Sequence, residues 1–308
     1  MGKSKSERIT VTAVVVMAIV GIFASSNNTD SRVTAAMKDE RPQVFAEGVV
    51  SKGHEFAITF TPDMRQAYFT RGFPDKKTSH ILRTELKEGR WQEPTLISFS
   101  SEQWSDLDPT LSPNGRRLFF ISTRPAPATQ DLTIRNMDIW YADLVGNDWG
   151  HPQYLENVNS LGKEGSPTVS KDGTLCFFSD RGRESNANSI YCAEFEGGHY
   201  SEPKRLGREI NSEASDTSPF LSADGKTLLF YSTRTGGYGK ADLYVSSKRH
   251  KRWMLIKNLG PIVNTEEFEY NPVLSPDGKK LYFGRKGNIY WIPVQSLTVL
   301  SKKARENQ

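Results

Sequence analysis

TSPFLSADGKTLLFYSTRTGGYGKADLYV, residues 217–245, is the stretch that decides the fold. A short run ends in the turn Ala223-Asp224-Gly225, a second run rich in Leu and Phe follows, and a third, DLYV, closes the segment. Asp-Gly and Asn-Gly pairs tolerate the positive φ that a tight hairpin demands. Apolar and aromatic runs bounded by Gly, Asn, Asp and Pro read as strands. The opening of this segment recurs along the chain: SDLDPTLSPNGRRLFF (105–120), KEGSPTVSKDGTLCFF (163–178), SDTSPFLSADGKTLLF (215–230) and FEYNPVLSPDGKKLYF (268–283). A fifth copy, HEFAITFTPDMRQAYF (54–69), has Ile58 in place of the Pro and Met64 in place of the Gly. Gly115, Gly173, Gly225 and Gly278 are separated by 58, 52 and 53 residues, and Met64 precedes Gly115 by 51.

Each copy continues in the same order. A third strand reads DIWYADL (138–144), SIYCAEF (189–195), DLYVSSK (242–248) or NIYWIPV (288–294), and a fourth starts at an aromatic residue, Trp91, Trp149, Tyr200 or Trp253. Four antiparallel strands in a repeat of this length make a propeller blade, whereas a β-sandwich has no reason to repeat its sequence. Asn159, Asn211 and Asn264 each lie eight residues before the next blade's Pro167, Pro219 or Pro272. PQVFAEGVVS (42–51) matches HPQYLENVNS (151–160), so it reads as a fourth strand without the three that should precede it, while the last repeat stops after its third. The pattern predicts an all-β, five-bladed β-propeller over residues 41–298. The N-terminal strand should pair in the last blade, a closure that removes two sheet edges.

The signature SPxLSPDGKxLYFxSxR…G…DIY, present as residues 217–245 and again in NLGPIVNTEEFEYNPVLSPDGKKLYF (258–283), resembles the TolB-like, WD-repeat-like propeller family of bacterial envelope proteins. The resemblance covers residues from about 42 to 295. It implies a periplasmic or surface-exposed interaction scaffold without catalysis, whose partner is an envelope protein or a glycan. No catalytic motif carries over, and one fold hosts many functions.

The remaining segments fit export. Lys3, Lys5 and Arg8 precede an apolar run from Ile9 to Ala24, followed by Ser25, Ser26, Asn27 and Asn28. This is the order of a signal peptide, and 16 residues is short of the roughly 20 of a spanning helix. Residues 1–26 are read as a signal peptide or, alternatively, as an uncleaved signal anchor forming a transmembrane helix. Residues 27–40 are read as a polar linker and 299–308 as a basic tail. Either reading puts the body in the periplasm or outside the cell, held to a membrane by the N-terminal segment alone. The net charge of +4 among 308 residues is not concentrated in a basic face, which argues against nucleic acid as a partner. A monomer is expected.

Two sets of residues repeat in every blade. An acid sits three residues before the Pro position: Glu55, Asp106, Glu164, Asp216 and Glu269. An arginine follows the second strand: Arg71, Arg124, Arg181, Arg234 and Arg285. The first strand of a blade is innermost, so the acids should gather at one mouth of the channel. Like charges brought close need a counter-charge, and the arginines can supply it as bidentate pairs that pin loop to loop. The competing reading is a polar-ligand or cation site, with calcium the ion that suits hard oxygen donors; no other cofactor is expected. A third is a carbohydrate-active enzyme, glycoside hydrolase or lyase, using two of these carboxylates in unlike environments. Trp104 and the loop 125–137 break the repeat on the same face and are the candidate partner-binding elements. Cys176 and Cys192 face each other across a hairpin, open to a disulfide in an oxidising compartment or to packing as buried thiols. The sequence contains no nucleophile elbow, P-loop or dinucleotide fingerprint.

Overall fold

The computed structural model describes residues 41–76, 78–127, 136–182 and 187–300. The N-terminal segment, most of the 125–137 loop and the end of the basic tail lie outside them. Among the described residues no helix is long and apolar enough to cross a membrane.

Five antiparallel sheets form the five blades of a β-propeller. The innermost strands are Glu55–Phe60, Asp106–Leu111, Glu164–Val169, Asp216–Leu221 and Glu269–Leu274. Each turns through its Asp- or Asn-bearing hairpin into a second strand and then a third. A Ser or Thr at the strand end donates to that Asp or Asn, as in Ser112 to Asn114 at 2.7 Å and Ser275 to Asp277 at 2.6 Å. In blades one to four the fourth strand is split in two. Trp91 and Leu96, for example, pair with the same third strand on either side of Pro94, a residue with no N–H to give to a ladder. Blade four splits at Met254–Leu255 without a proline.

The core is divided into five wedges, one per pair of neighbouring blades. Between blades three and four, for example, Ile190 and Ile210 meet Leu228, Phe230 and Tyr244. The fourth-strand aromatics belong to these wedges, with Trp149 buried and Trp91 and Trp253 packed against them. Asn159, Asn211 and Asn264 each bond both the N–H and the C=O of one residue on the third strand, Ile139, Ile190 and Leu243. The side-chain amide thus stands in for one further peptide rung.

The ring closes through the first described strand. Gln43–Val44 pairs antiparallel with the third strand of blade five, Gln43 opposite Trp291 and Val44 opposite Tyr290. Phe45 is buried at the seam, its ring 5.8 Å from Phe60, 5.3 Å from Trp91 and 5.4 Å from Tyr282. Gly287 then approaches blade one so closely that a Cβ there would lie 2.1 Å from the carbonyl oxygen of Gly53; the N–H of Glu55 donates to the Gly287 carbonyl at 2.7 Å. Cys176 and Cys192 stand opposite each other in register and form a disulfide.

Phe45→Ala removes an aromatic anchor from the closure seam. It should cost about 3–5 kcal/mol in urea denaturation at unchanged secondary structure.

Candidate functional site

All five acid–arginine pairs are present, and they consume the acids. Glu55, Asp106, Glu164, Asp216 and Glu269 are at most 1% exposed. Arg71 reaches Glu55 at 2.6 Å, Arg181 reaches Glu164 at 2.6 Å and Arg285 reaches Glu269 at 2.7 Å. Arg124 and Arg234 grip Asp106 and Asp216 at 2.5 Å. Every one of these arginines also donates to a backbone carbonyl of the segment leading into its blade: Val50, Phe99, Val158, Ile210 or Val263. In the last three blades the carboxylate takes an N–H and a hydroxyl from Ser160, Ser212 or Thr265 in that segment. Each pair therefore ties the connection from one blade to the first two strands of the next. Burial raises the Asp106 carboxyl above its usual range, opposed by Arg124. Among the described residues no three acidic, histidine or cysteine side chains gather so as to hold a metal ion.

Trp104, in the loop that leads into blade two, is partly exposed; the 125–137 loop is described only at its ends. Beyond that loop Asp138 opens a third strand. Burial, then the charge of Glu164, lifts its carboxyl to about 6, and its Oδ1 is buried without a hydrogen-bond partner.

The opposite mouth is built differently. Each innermost strand carries a bulge at which two residues face one on the second strand. The bulged residues Ala57, Asp108, Ser166, Ser218 and Asn271 all have positive φ, between 45° and 50°. Four precede a proline, which normally favours extended backbone at that position. N–H groups of these strands turn to the neighbouring blade instead: Asp108 donates to Thr70 Oγ1 at 2.9 Å, Leu111 to Thr59 Oγ1 at 3.2 Å and Leu221 to Thr168 Oγ1 at 2.9 Å.

The bulges line a chamber of about 30 Å³ on the axis. Above it the ends of the five innermost strands and their hairpin turns form a funnel of about 350 Å³, walled by residues such as Phe60, Leu111, Phe220 and Leu274. Funnel and chamber share Thr110, Thr168, Phe220 and Val273. Asp108 is the one acid lining either among the described residues. Its Oδ2 accepts from Ser166 Oγ at 2.6 Å, and Ser166 Oγ lies 3.2 Å from Ser218 Oγ. Burial pushes this carboxyl up to about 6, against the hydrogen bonds from Ser166. Sequence reasoning passed over Asp108; the signal was that, of five aligned positions before the proline or its substitute, one alone is charged.

The fold is a five-bladed β-propeller whose axial chamber is lined, among the described residues, by one carboxylate, Asp108. No family model matches the chain, and no curated protein matches it. Among solved structures it is similar to TolB from Acinetobacter baumannii, at 20% identity over 77% of this chain and 54% of that one, with a TM-score of 0.48. It is similar to a thermostable family-43 glycoside hydrolase at 9% identity over 80% and 91%, TM-score 0.52. A gluconolactonase from Xanthomonas campestris aligns at 11% identity over 82% and 94%, TM-score 0.47. The chain spans about half the length of the TolB structure, 54%. Likeness at these identities is a likeness of fold.

Two outcomes test the site. Arg285→Met leaves Glu269 buried without its counter-charge and should cost about 3–5 kcal/mol in urea denaturation, with much of that recovered in the Glu269→Gln/Arg285→Met double variant. Asp108 holds its proton more tightly in the fold than in the unfolded chain. Its contribution to stability is therefore full below about pH 4 and is lost as pH rises to about 6. Asp108→Asn should flatten thermal stability across that window and raise it near pH 7 by up to roughly 3 kcal/mol.

Proposed function

We propose that the chain is an extracytoplasmic, TolB-like binding scaffold of the cell envelope that engages a protein or glycan partner at the funnel mouth. The funnel carries this reading: an apolar concavity on the propeller axis, with a few converging polar groups at its base, is the form that binding sites take. The disulfide of Cys176 and Cys192 is of the kind that persists in oxidising compartments. The order of charged, apolar and small polar residues at the N-terminus supports export as well. A glycosidase sets two carboxylates about the scissile bond; the funnel and chamber are lined by one, Asp108, which favours binding over turnover.

A photo-cross-linking residue at Ser222, on the funnel wall, should give discrete adducts from an envelope fraction, lost on Leu274→Arg. The same residue at Glu93, an exposed fourth-strand position, should give none. Equal adducts from both positions would remove the funnel as the binding face. Hydrolysis of a glycoside that Asp108→Asn abolishes would replace the scaffold with an enzyme.

A further inference from the structure

Asp108 differs from the five acids that open the innermost strands in having no ion pair among the described residues. The five acids at the other mouth each hold an arginine. No Lys, Arg or His lines the funnel or the chamber among the described residues. Asp108 is 8% exposed; Ser166 Oγ donates to its Oδ2, and Ser166 Oγ in turn meets the Ser218 hydroxyl and, at 3.5 Å, the Asn271 amide. Burying a charge without a partner is costly, and such a group held in a cleft marks a site that something else completes. The bulge that presents it, with φ of +49°, recurs in all five blades; what sets this position apart is the charge it carries.

The shape of the two cavities says what would complete it. The chamber, of about 30 Å³, is roomy enough for a water-sized group. An ammonium group is of that size, whereas a guanidinium is a broad planar fork. The funnel above is walled mainly by apolar side chains, with Phe60, Leu111, Phe220 and Leu274 contributed by four different blades among hydroxyls such as Ser112 and Ser222. An aliphatic arm laid along such walls with its charge at the tip is how lysine buries its stem. We propose that the funnel and chamber receive the side chain of a lysine carried by a partner protein, its ammonium set against Asp108 and among the hydroxyls of Ser166 and Ser218. The proposal rests on the reading of this mouth as the partner-binding face and names the anchor of that partner. The acid also supplies selectivity: an uncharged side chain of the same length would leave Asp108 desolvated and unpaired, a penalty that rejects the isostere.

The test uses the whole protein in nuclear magnetic resonance titrations, following the amides of Thr110 and Thr168, which line both cavities. The ligands are Nα-acetyl-lysine methylamide, its norleucine counterpart, which keeps the four-carbon stem without the ammonium, and the arginine counterpart. The lysine derivative should shift these amides in the millimolar range, with the other two at least tenfold weaker. Asp108→Asn should lose at least tenfold in lysine affinity while its amide spectrum stays folded, and Asp108→Glu, which keeps the charge, should retain part of it. If the norleucine derivative binds as well as lysine, or Asp108→Asn binds lysine unchanged, the anchor is wrong although the mouth still binds. If none of the three shifts Thr110 or Thr168 while Ser222 still cross-links a partner, the anchor is wrong and the scaffold stands. If cross-linking fails too, both readings fall.

Discussion

The structure depends on closing a ring. Five sheets packed around an axis leave a gap unless the last is completed, and Gln43–Val44 completes it beside Asn288–Pro293. Without that strand the wedge holding Phe45, Phe60 and Tyr282 would open to water, and the third strand of blade five would present an unpaired edge. With it, blade five stands next to blade one, and Asn271 comes within reach of Ser166 from across the channel. The arrangement at the axis therefore follows from a pairing between the two ends of the propeller, 238 residues apart where Ser51 Oγ meets Ile289.

The innermost strands are alike at one end and differ at the other, and the proposed binding mouth lies at the end that differs. At one end an acid and an arginine recur in every blade and are spent on each other and on the connection between blades. Identical use five times over is what a scaffold needs, because a ring of equal wedges requires equal ties. Two residues further along, where the strand bulges, the blades differ: Ala57, Asp108, Ser166, Ser218 and Asn271. One carboxylate among small and neutral groups makes the axis asymmetric. A burial that disfavours its charged form makes Asp108 costly to keep unless a ligand completes it, the exchange of stability for function often found at binding sites.

Much of this was legible in the sequence. The turn at Asp224-Gly225 and its four relatives give the blades, and the match of 42–51 to 151–160 gives both the count and the closure. The opposed positions of Cys176 and Cys192 follow from hairpin register, while their oxidation does not. The pairing of Glu55 with Arg71 and its four counterparts could be anticipated, because the two sets recur in step. The funnel and its base could not. A residue before proline is expected in extended backbone, so nothing in Asp108-Pro109 or Ser166-Pro167 announces a left-handed bulge that swings the side chain to the axis. The split of the fourth strands was hidden for a related reason: Pro94, Pro152 and Pro203 account for three of the breaks, but Met254–Leu255 breaks at the same place with no local signal.

The closure is the claim on which the rest stands, and cysteines placed across its seam test it most directly. In Gln43→Cys/Trp291→Cys the two new thiols sit on directly opposed residues, within the reach a disulfide requires of antiparallel neighbours. The account predicts that the oxidised variant shows a 43–291 linkage by peptide mapping, beside the 176–192 linkage, in a folded monomer. Free thiols at 43 and 291, with 176–192 intact, would contradict it.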